Sequence, residues 1–125
     1  MVGQRFITLL ENHPMFELTV LAASPRSAGK KYSQAVEGRW KLGDMPGYVS
    51  DMVLFDAADI DSVSSRCDFV FCAVDMKKDE IRALEEAYAR SETPVVSNNS
   101  ANRWTDDVPM VIPEINPSHL EVISA

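Results

Sequence analysis

Asp68-Phe-Val-Phe-Cys-Ala-Val74 is the stretch that decides the fold, because it is apolar at nearly every position and charged residues flank it. Such a run predicts a strand of a parallel sheet covered on both faces. Asp75 to Arg90 follows with Ile81, Leu84 and Tyr88 at helical spacing, which predicts an amphipathic helix. The acidic residues on its other side are expected to be solvated: Asp79, Glu80, Glu85 and Glu86. A buried strand that leads into such a helix is typical of an α/β protein.

The remaining elements fit the same class. Val2, Phe6, Leu9 and Leu10 share one helical face, and this first helix should end near Asn12-His13-Pro14. Further strands are predicted at 17–24, 52–55, 94–97 and 111–112, helical turns within 56–65 and at 117–122, and irregular structure over 32–50. This order predicts one α/β domain with a mostly parallel sheet, and no linker divides it.

The composition excludes several classes of protein. The 125 residues are 46% hydrophobic and 25% charged, unlike a disordered chain, a collagen or a bare coiled coil. No apolar run approaches the roughly 18 residues that span a bilayer, and no basic leader precedes an apolar stretch, so neither a membrane protein nor a secreted one is predicted. The formal net charge of −7 argues against nucleic acid as a general partner. Two cysteines without a framework favour a reducing, cytoplasmic setting.

Polar loops follow three of the predicted strands. They are Ser24 to Lys31, Ala73 to Met76 and Ser97 to Arg103. Because parallel α/β sheets bind ligands outside the carboxyl ends of their strands, these loops are expected to converge. The sequence therefore predicts a nucleotide site at this edge of the sheet.

Two motifs suit the phosphates of a nucleotide. Gly3 lies at the start of the first helix, where an N-terminus attracts a pyrophosphate, although it also fits a simple helix-start glycine. The loop after the strand predicted at 17–24 offers cations and hydroxyls instead of the acidic residue that favours NAD. Its Arg26, Ser27, Lys30 and Lys31 suit a ribose 2′-phosphate, and the alternative is a solvated basic loop.

The other polar residues carry weaker signals. The Asn and Ser residues of the segment 97–102 either cap turns or hold a nicotinamide or substrate. In the second case Arg103 could bind an anion. Trp104 is expected to be a packing residue. Asn98 and Asn99 should face opposite sides, which leaves open which one faces the cofactor. Four further residues are expected to be structural or inert, namely Cys67, Cys72, His13 and His119. No metal-ligand spacing occurs.

Taken together, these motifs resemble the amino-terminal part of the aspartate-semialdehyde dehydrogenase family, in particular its archaeal and bacterial branch. The stretches that carry the resemblance are Met-Val-Gly-Gln-Arg-Phe at 1–6, Leu-Ala-Ala-Ser-Pro-Arg-Ser-Ala-Gly-Lys-Lys at 21–31, Phe-Val-Phe-Cys-Ala-Val-Asp at 69–75, Val-Val-Ser-Asn-Asn-Ser-Ala at 95–101 and Val-Pro-Met-Val-Ile-Pro-Glu-Ile-Asn-Pro at 108–117.

The resemblance implies a Rossmann-like fold and the NADP-dependent reductive dephosphorylation of L-aspartyl 4-phosphate to L-aspartate 4-semialdehyde, in lysine, threonine and methionine biosynthesis. The cofactor residues that it implies are Val2, Gly3, Ser24, Arg26, Ser27, Ala73, Val74 and Asn98. Arg103 would hold the substrate phosphate. The implied setting is a cytoplasmic homo-oligomer that acts on small molecules, with no nucleic acid, membrane or metal.

The chain also departs from this family. The family's first strand and its Gly-x-x-Gly start should stand before Met1, no Asn-Cys dipeptide is present, and the downstream His and substrate-binding Arg have no counterpart. Residues 1–125 are therefore interpreted as a partial NADP-binding domain without a catalytic residue. Without that strand, neighbouring strands should face an unfilled space with unpaired backbone groups, so marginal stability and weak NADP binding are expected. The alternatives are another acyl-phosphate reductase, such as N-acetyl-γ-glutamyl-phosphate reductase, and a non-catalytic nucleotide-binding module.

Overall fold

The computed structural model describes residues 1–123 as two pairs of parallel strands with helices packed around them, which confirms the α/β class. Residues 124 and 125 of the predicted domain lie outside the described residues. The elements are α1 (Val2–Leu10), β1 (Ala22–Ala23), α2 (Tyr32–Ala35), α3 (Gly47–Ser50), β2 (Phe55–Asp56), α4 (Ile60–Ser64), β3 (Val70–Cys72), α5 (Lys78–Arg90), β4 (Val95–Ser97) and a final 3-10 helix (Pro117–Ile123).

The strands form two separate sheets instead of the single sheet that the sequence predicts. β1 pairs with β2, and β3 pairs with β4, both in parallel. Neither β1 nor β3 pairs with the other within residues 1–123. The predicted gap between neighbouring strands is therefore present in the structure.

Several predicted element boundaries are wrong. The strand predicted at 17–24 is reduced to Ala22–Ala23, and the one at 52–55 is shifted to Phe55–Asp56, because only these residues find a partner strand. Residues 111–112 form no strand. They belong to a loop that Asn116 closes, since its Oδ1 accepts from the Ile112 N–H at 2.7 Å and its Nδ2 donates to the Met110 carbonyl at 2.9 Å. The segment predicted as irregular contains α2 and α3.

Helix α1 connects the two sheets. Ile7 is buried in one apolar cluster with Tyr32, Ala35, Val49 and Leu54, on the side of β1 and β2. The neighbouring Phe6 stacks on Phe71 of β3 with ring centroids 4.6 Å apart. One helix therefore packs against elements of both sheets.

Helix α5 makes a second connection, as the helical spacing of Ile81 and Tyr88 predicts. Both of these side chains are buried, and Val63 of α4 is buried near them. The Tyr88 hydroxyl donates to the Ala57 carbonyl, just after β2, at 2.7 Å. Burial, with a smaller contribution from nearby thiols and carboxylates, raises the pKa of Tyr88 to about 12, so the phenol keeps the proton that this bond uses.

Replacement of Val49 by Ala should destabilise the fold. Val49 is fully buried, with 0% of its surface exposed. Two methyl groups lost from such a site cost about 2 kcal/mol of unfolding free energy. Urea denaturation followed by circular dichroism measures the loss. The control is Val53→Ala, because Val53 is 51% exposed and should cost less than half as much. Equal losses would contradict this packing.

Candidate functional site

Helix α1, the end of β1 and the end of β3 border one large cleft of about 1170 Å³. Five of the predicted site residues line it, namely Gly3, Ser24, Ser27, Ala73 and Val74. Three others, Arg26, Asn98 and Arg103, are exposed and lie outside its lining, as does Val2. The structure thus brings two of the three predicted loops to one opening.

The amino end of α1 offers unpaired donors to this opening. The first bond of the helix joins the Arg5 N–H to the Met1 carbonyl at 3.2 Å, so the N–H groups ahead of Arg5 have no partner inside the helix. At Gly3 a Cβ would meet no atom within 4 Å, which leaves open space beside the backbone. Donors and a helix dipole at such a place suit an anionic group.

The loop after β1 is held by backbone hydrogen bonds. The Ser24 carbonyl accepts from the Ser27 N–H at 2.9 Å and from the Ala28 N–H at 3.2 Å, which forms a tight turn. Gly29 then takes a φ of +80°, a region that suits glycine, and its N–H donates to the Leu54 carbonyl at 2.8 Å. Arg26 and Ser27 therefore stand on a turn of fixed shape.

The cations of this loop divide into two groups. Lys31 forms an ion pair with Asp51 at 2.7 Å, so its charge is partnered. Within residues 1–123, by contrast, Arg26, Lys30 and the Ser27 hydroxyl make no side-chain hydrogen bond or ion pair. The predicted set of phosphate ligands thus loses Lys31 and keeps three side chains available to a ligand.

The two asparagines after β4 differ in their contacts. The Asn98 N–H donates to the Cys72 carbonyl at 3.3 Å, and its side chain is exposed. Asn99 turns the other way, and its Nδ2 lies 3.4 Å from the Cys72 sulfur. Asn98 is consequently the one that remains available to a ligand.

A buried carboxylate, Glu85, holds this loop, and the sequence pattern does not predict its burial. Glu85 is only 6% exposed, although the helix pattern places it on the solvated side. Its two oxygens accept from the Ser97 hydroxyl and, at 2.8 Å, from the Asn102 amide. The sequence did contain a signal for this burial. Glu85 lies four residues after Ile81 and three before Tyr88, and residues at these spacings share one helix face.

A further contact holds the end of the loop. Arg82 donates from Nη2 to the carbonyl of the buried Ala101 at 2.7 Å. Arg103 follows, exposed, and its side chain has no partner among the described residues. The expectation that Trp104 packs is wrong, since this side chain is 79% exposed.

The cysteines and histidines have structural surroundings, as expected. Burial raises the pKa of the Cys72 thiol, and burial also raises the pKa of the half-buried Cys67, so neither is an activated thiolate. His13 accepts through Nδ1 from the N–H groups of Met15 and Phe16, both at 3.2 Å. His119 contacts the Met110 backbone in the same way at 2.9 Å.

Residues 1–123 contain no cluster of three or more His, Cys, Asp or Glu arranged to hold a metal. Nor do their helices include one that is long and apolar enough to cross a membrane.

Comparison with known proteins identifies what the chain is similar to. Residues 1–123 match the family model described as semialdehyde dehydrogenase, NAD binding domain. An aspartate-semialdehyde dehydrogenase of Methanothermobacter thermautotrophicus is 46% identical over 124 residues, and that of Saccharomyces cerevisiae is 42% identical over 124 residues. Each match covers 98% of this chain, and 34% and 32% of the respective relative.

A solved structure gives the same result. The crystal structure of aspartate semialdehyde dehydrogenase with NADP from Candida albicans superimposes with a TM-score of 0.86 at 39% identity. It covers 98% of this chain, which in turn spans 33% of that protein. The chain thus spans about a third of the length of the relatives it matches, and the similarity confirms the Rossmann-like fold.

Replacement of Glu85 by Ala should destabilise the protein more than the same change at the next residue. Without the carboxylate, the donors of Ser97 and Asn102 lose their partner, which costs about 1–3 kcal/mol of unfolding free energy. Glu86→Ala is the matched control, because Glu86 only pairs with Arg90 on the surface, an interaction that contributes below about 1 kcal/mol. Chemical denaturation compares the two, and equal losses would show that Glu85 does not hold the loop.

Proposed function

Because the chain belongs to the semialdehyde dehydrogenase NAD-binding domain family, we propose that it is the NADP-binding part of an aspartate-semialdehyde dehydrogenase. The whole protein would convert L-aspartyl 4-phosphate to L-aspartate 4-semialdehyde, with release of phosphate. NADPH, when bound, supplies the hydride for this reduction. The residues of this chain would bind the cofactor and the phosphate.

The observation that carries the proposal is the unpartnered state of Arg26 and Ser27 on a fixed turn at the carboxyl end of β1. A guanidinium can bind phosphate through two parallel hydrogen bonds, and a hydroxyl adds a neutral donor. An acidic residue at this place would favour the free ribose 2′-hydroxyl of NAD, and the loop carries none. These features support NADP over NAD.

The other cofactor contacts are proposed in the same cleft and beside it. The unpaired N–H groups at Val2 and Gly3 suit the pyrophosphate. Ser24, Ala73 and Val74 line the cleft and would lie beside the cofactor. The exposed Asn98, beside Cys72, would contact the nicotinamide end.

Arg103 is proposed as the ligand of the substrate phosphate. It is exposed, its side chain has no partner among residues 1–123, and the contacts of Arg82 and Glu85 fix the loop that carries it. A guanidinium at this place would neutralise charge on the acyl phosphate and on the phosphate that leaves. No catalytic residue is assigned to this chain, since both thiols are inert.

The identity of the relatives supports aspartyl phosphate over N-acetylglutamyl phosphate, because each relative described above is named an aspartate-semialdehyde dehydrogenase. Two free thiols fit a reducing compartment, so we place the protein in the cytoplasm. The expected partners are small molecules and further copies of the whole protein.

Arg26→Ala should weaken NADP binding without weakening NAD binding. Loss of a charge-assisted bond to the 2′-phosphate costs about 1.5–3 kcal/mol, which is a rise of about 10- to 100-fold in the NADP dissociation constant. NAD lacks this phosphate, so the dissociation constant for NAD should not change. Titration calorimetry or NMR titration of the chain with each nucleotide measures both constants.

Lys31→Ala is the matched control, because Lys31 is engaged by Asp51. It should change NADP affinity by less than about threefold, as expected of an exposed pair. Equal affinity of the parent chain for NADP and NAD would contradict the 2′-phosphate assignment.

Arg103→Ala, made at the corresponding position of a whole relative, should raise the apparent KM for phosphate. The expected rise is about 10-fold or more, since a bond between charged groups is lost. Steady-state kinetics in the phosphorylating direction measure it. The control is the residue corresponding to Arg90, which only pairs with Glu86 on the surface of α5. An unchanged KM for phosphate would remove this role from Arg103.

A further inference from the structure

One buried carboxylate, that of Glu85 in α5, bonds to both ends of the loop after β4. Its Oε1 accepts from the Ser97 hydroxyl, and its Oε2 accepts from the Asn102 amide at 2.8 Å. The proposed cofactor ligand Asn98 directly follows the first of these donors, and the proposed phosphate ligand Arg103 directly follows the second. Each oxygen of the carboxylate therefore holds the residue next to one proposed ligand.

Glu85 lines the cleft, but it is placed to hold the loop and not to bind a ligand. Its side chain is 6% exposed, and a donor of the protein engages each of its oxygens. Burial of a carboxylate costs free energy that its hydrogen bonds only offset, and a well-packed apolar side chain often stabilises a fold as much or more. The contacts of Glu85 therefore point to a task in the loop beyond the packing of α5.

The first oxygen fixes the backbone on both sides of Asn98. The Ser97 hydroxyl, which donates to Glu85, also accepts from the Asn99 N–H at 3.0 Å. The Asn98 N–H donates to the Cys72 carbonyl at 3.3 Å. The N–H groups of Asn98 and of the residue after it are thus both held, whereas the Asn98 side chain stays exposed. The direction of that side chain consequently depends on the bond between Glu85 and Ser97.

The second oxygen acts in the same way on Arg103. The Asn102 amide donates to Glu85, and the Asn102 carbonyl accepts from the Thr105 N–H at 3.1 Å. The Arg103 N–H donates to the Ser100 carbonyl at 3.4 Å. The backbone around Arg103 is therefore held, whereas its guanidinium has no partner among residues 1–123.

A separate contact divides the two ends of the loop. Ala101 lies between them and is 2% exposed, and its carbonyl accepts from Arg82 Nη2 at 2.7 Å. Because this contact does not involve Glu85, the middle of the loop keeps its place when one bond of the carboxylate is removed. Loss of either bond should then loosen only the end that it holds.

We propose that Glu85 is a positioning residue for both ligands of this loop, with its two oxygens divided between them. The bond to Ser97 orients Asn98 for the nicotinamide end of the cofactor, and the bond to Asn102 holds Arg103 for the phosphate of the substrate. The inference rests on the proposed function, since it takes Asn98 and Arg103 as ligands. It adds that two separable bonds of one buried side chain set the affinities for cofactor and phosphate.

The first test removes the bond at the phosphate end. It uses a whole relative that carries the same residues at the positions corresponding to 85, 97, 98, 102 and 103, and steady-state kinetics in the phosphorylating direction. Asn102→Ala should raise the KM for inorganic phosphate by about fivefold or more, because binding must then order the backbone at Arg103. The KM for NADP should stay within about twofold. In an Arg103→Ala background the same change should have no further effect, because Asn102 acts through Arg103.

The second test removes the bond at the cofactor end. Ser97→Ala should raise the KM for NADP by about fivefold or more and leave the KM for phosphate within about twofold. This effect should vanish in an Asn98→Ala background, because Ser97 acts through Asn98.

Variants of Glu85 itself join the two tests. Glu85→Ala should raise both KM values. Glu85→Gln should restore both to within about threefold of the parent enzyme, because its amide oxygen can accept from Asn102 and its NH₂ group can donate to the Ser97 hydroxyl. Glu86→Ala is the matched control and should change neither KM, because Glu86 only pairs with Arg90 on the surface.

Three results would overturn the proposal. The first is an equal effect of Asn102→Ala and Ser97→Ala on both KM values, and the second is an unchanged KM for phosphate or NADP, respectively, in these variants. The third is a full effect of either change in the background that lacks its ligand, which would indicate a general loss of structure. If Glu85→Ala does not fold, the two single-bond variants decide.

A failure of the proposed function gives a different pattern. An unchanged KM for phosphate in Arg103→Ala alone would remove the phosphate ligand itself. A raised KM in Arg103→Ala, together with an unchanged KM in Asn102→Ala, would reject only the positioning role of Glu85.

Discussion

The contact of helix α1 with both sheets is the interaction on which the rest of the structure depends. Within residues 1–123 the sheets share no backbone ladder, so side chains must hold them together. Ile7 does so on one side and Phe6 on the other, and Tyr88 and Thr19 add hydrogen bonds across the same gap. Because each sheet has only two strands among the described residues, neither would be stable without this packing.

The site depends on the same arrangement, since each polar loop begins where a short strand ends. The turn after β1 is fixed by bonds from Gly29 and Ser27, and the loop after β4 is fixed by Glu85 and Arg82. In both loops the residues that hold the backbone have partners, whereas the cations Arg26 and Arg103 have none among residues 1–123. A loop with a fixed backbone and unpartnered cations suits an anion site, because binding then costs little conformational entropy.

The sequence predicts what depends on local pattern. The apolar run from Asp68 to Val74 and the periodicity around Ile81 identify β3 and α5. Loop composition predicts Arg26 and Ser27 as phosphate ligands, and this stays a prediction. Strand length is different, because it depends on whether a partner lies alongside. Residues 17–24 have strand-like composition, but only Ala22–Ala23 pair. The burial of Glu85 could not be predicted for a similar reason, since its hydrogen-bond donors, Ser97 and Asn102, are distant in sequence.

The charge of the chain explains why local geometry must dominate at the proposed phosphate site. A net charge of −7 repels a nucleotide phosphate at long range. At physiological salt this repulsion is screened beyond about 8 Å, whereas a guanidinium in contact with phosphate is screened much less. The pair between Lys31 and Asp51 removes one cation from the loop, so attraction at contact falls to Arg26 and Lys30. Binding would therefore depend on the shape of the turn between Ser24 and Gly29 more than on the overall field of the protein.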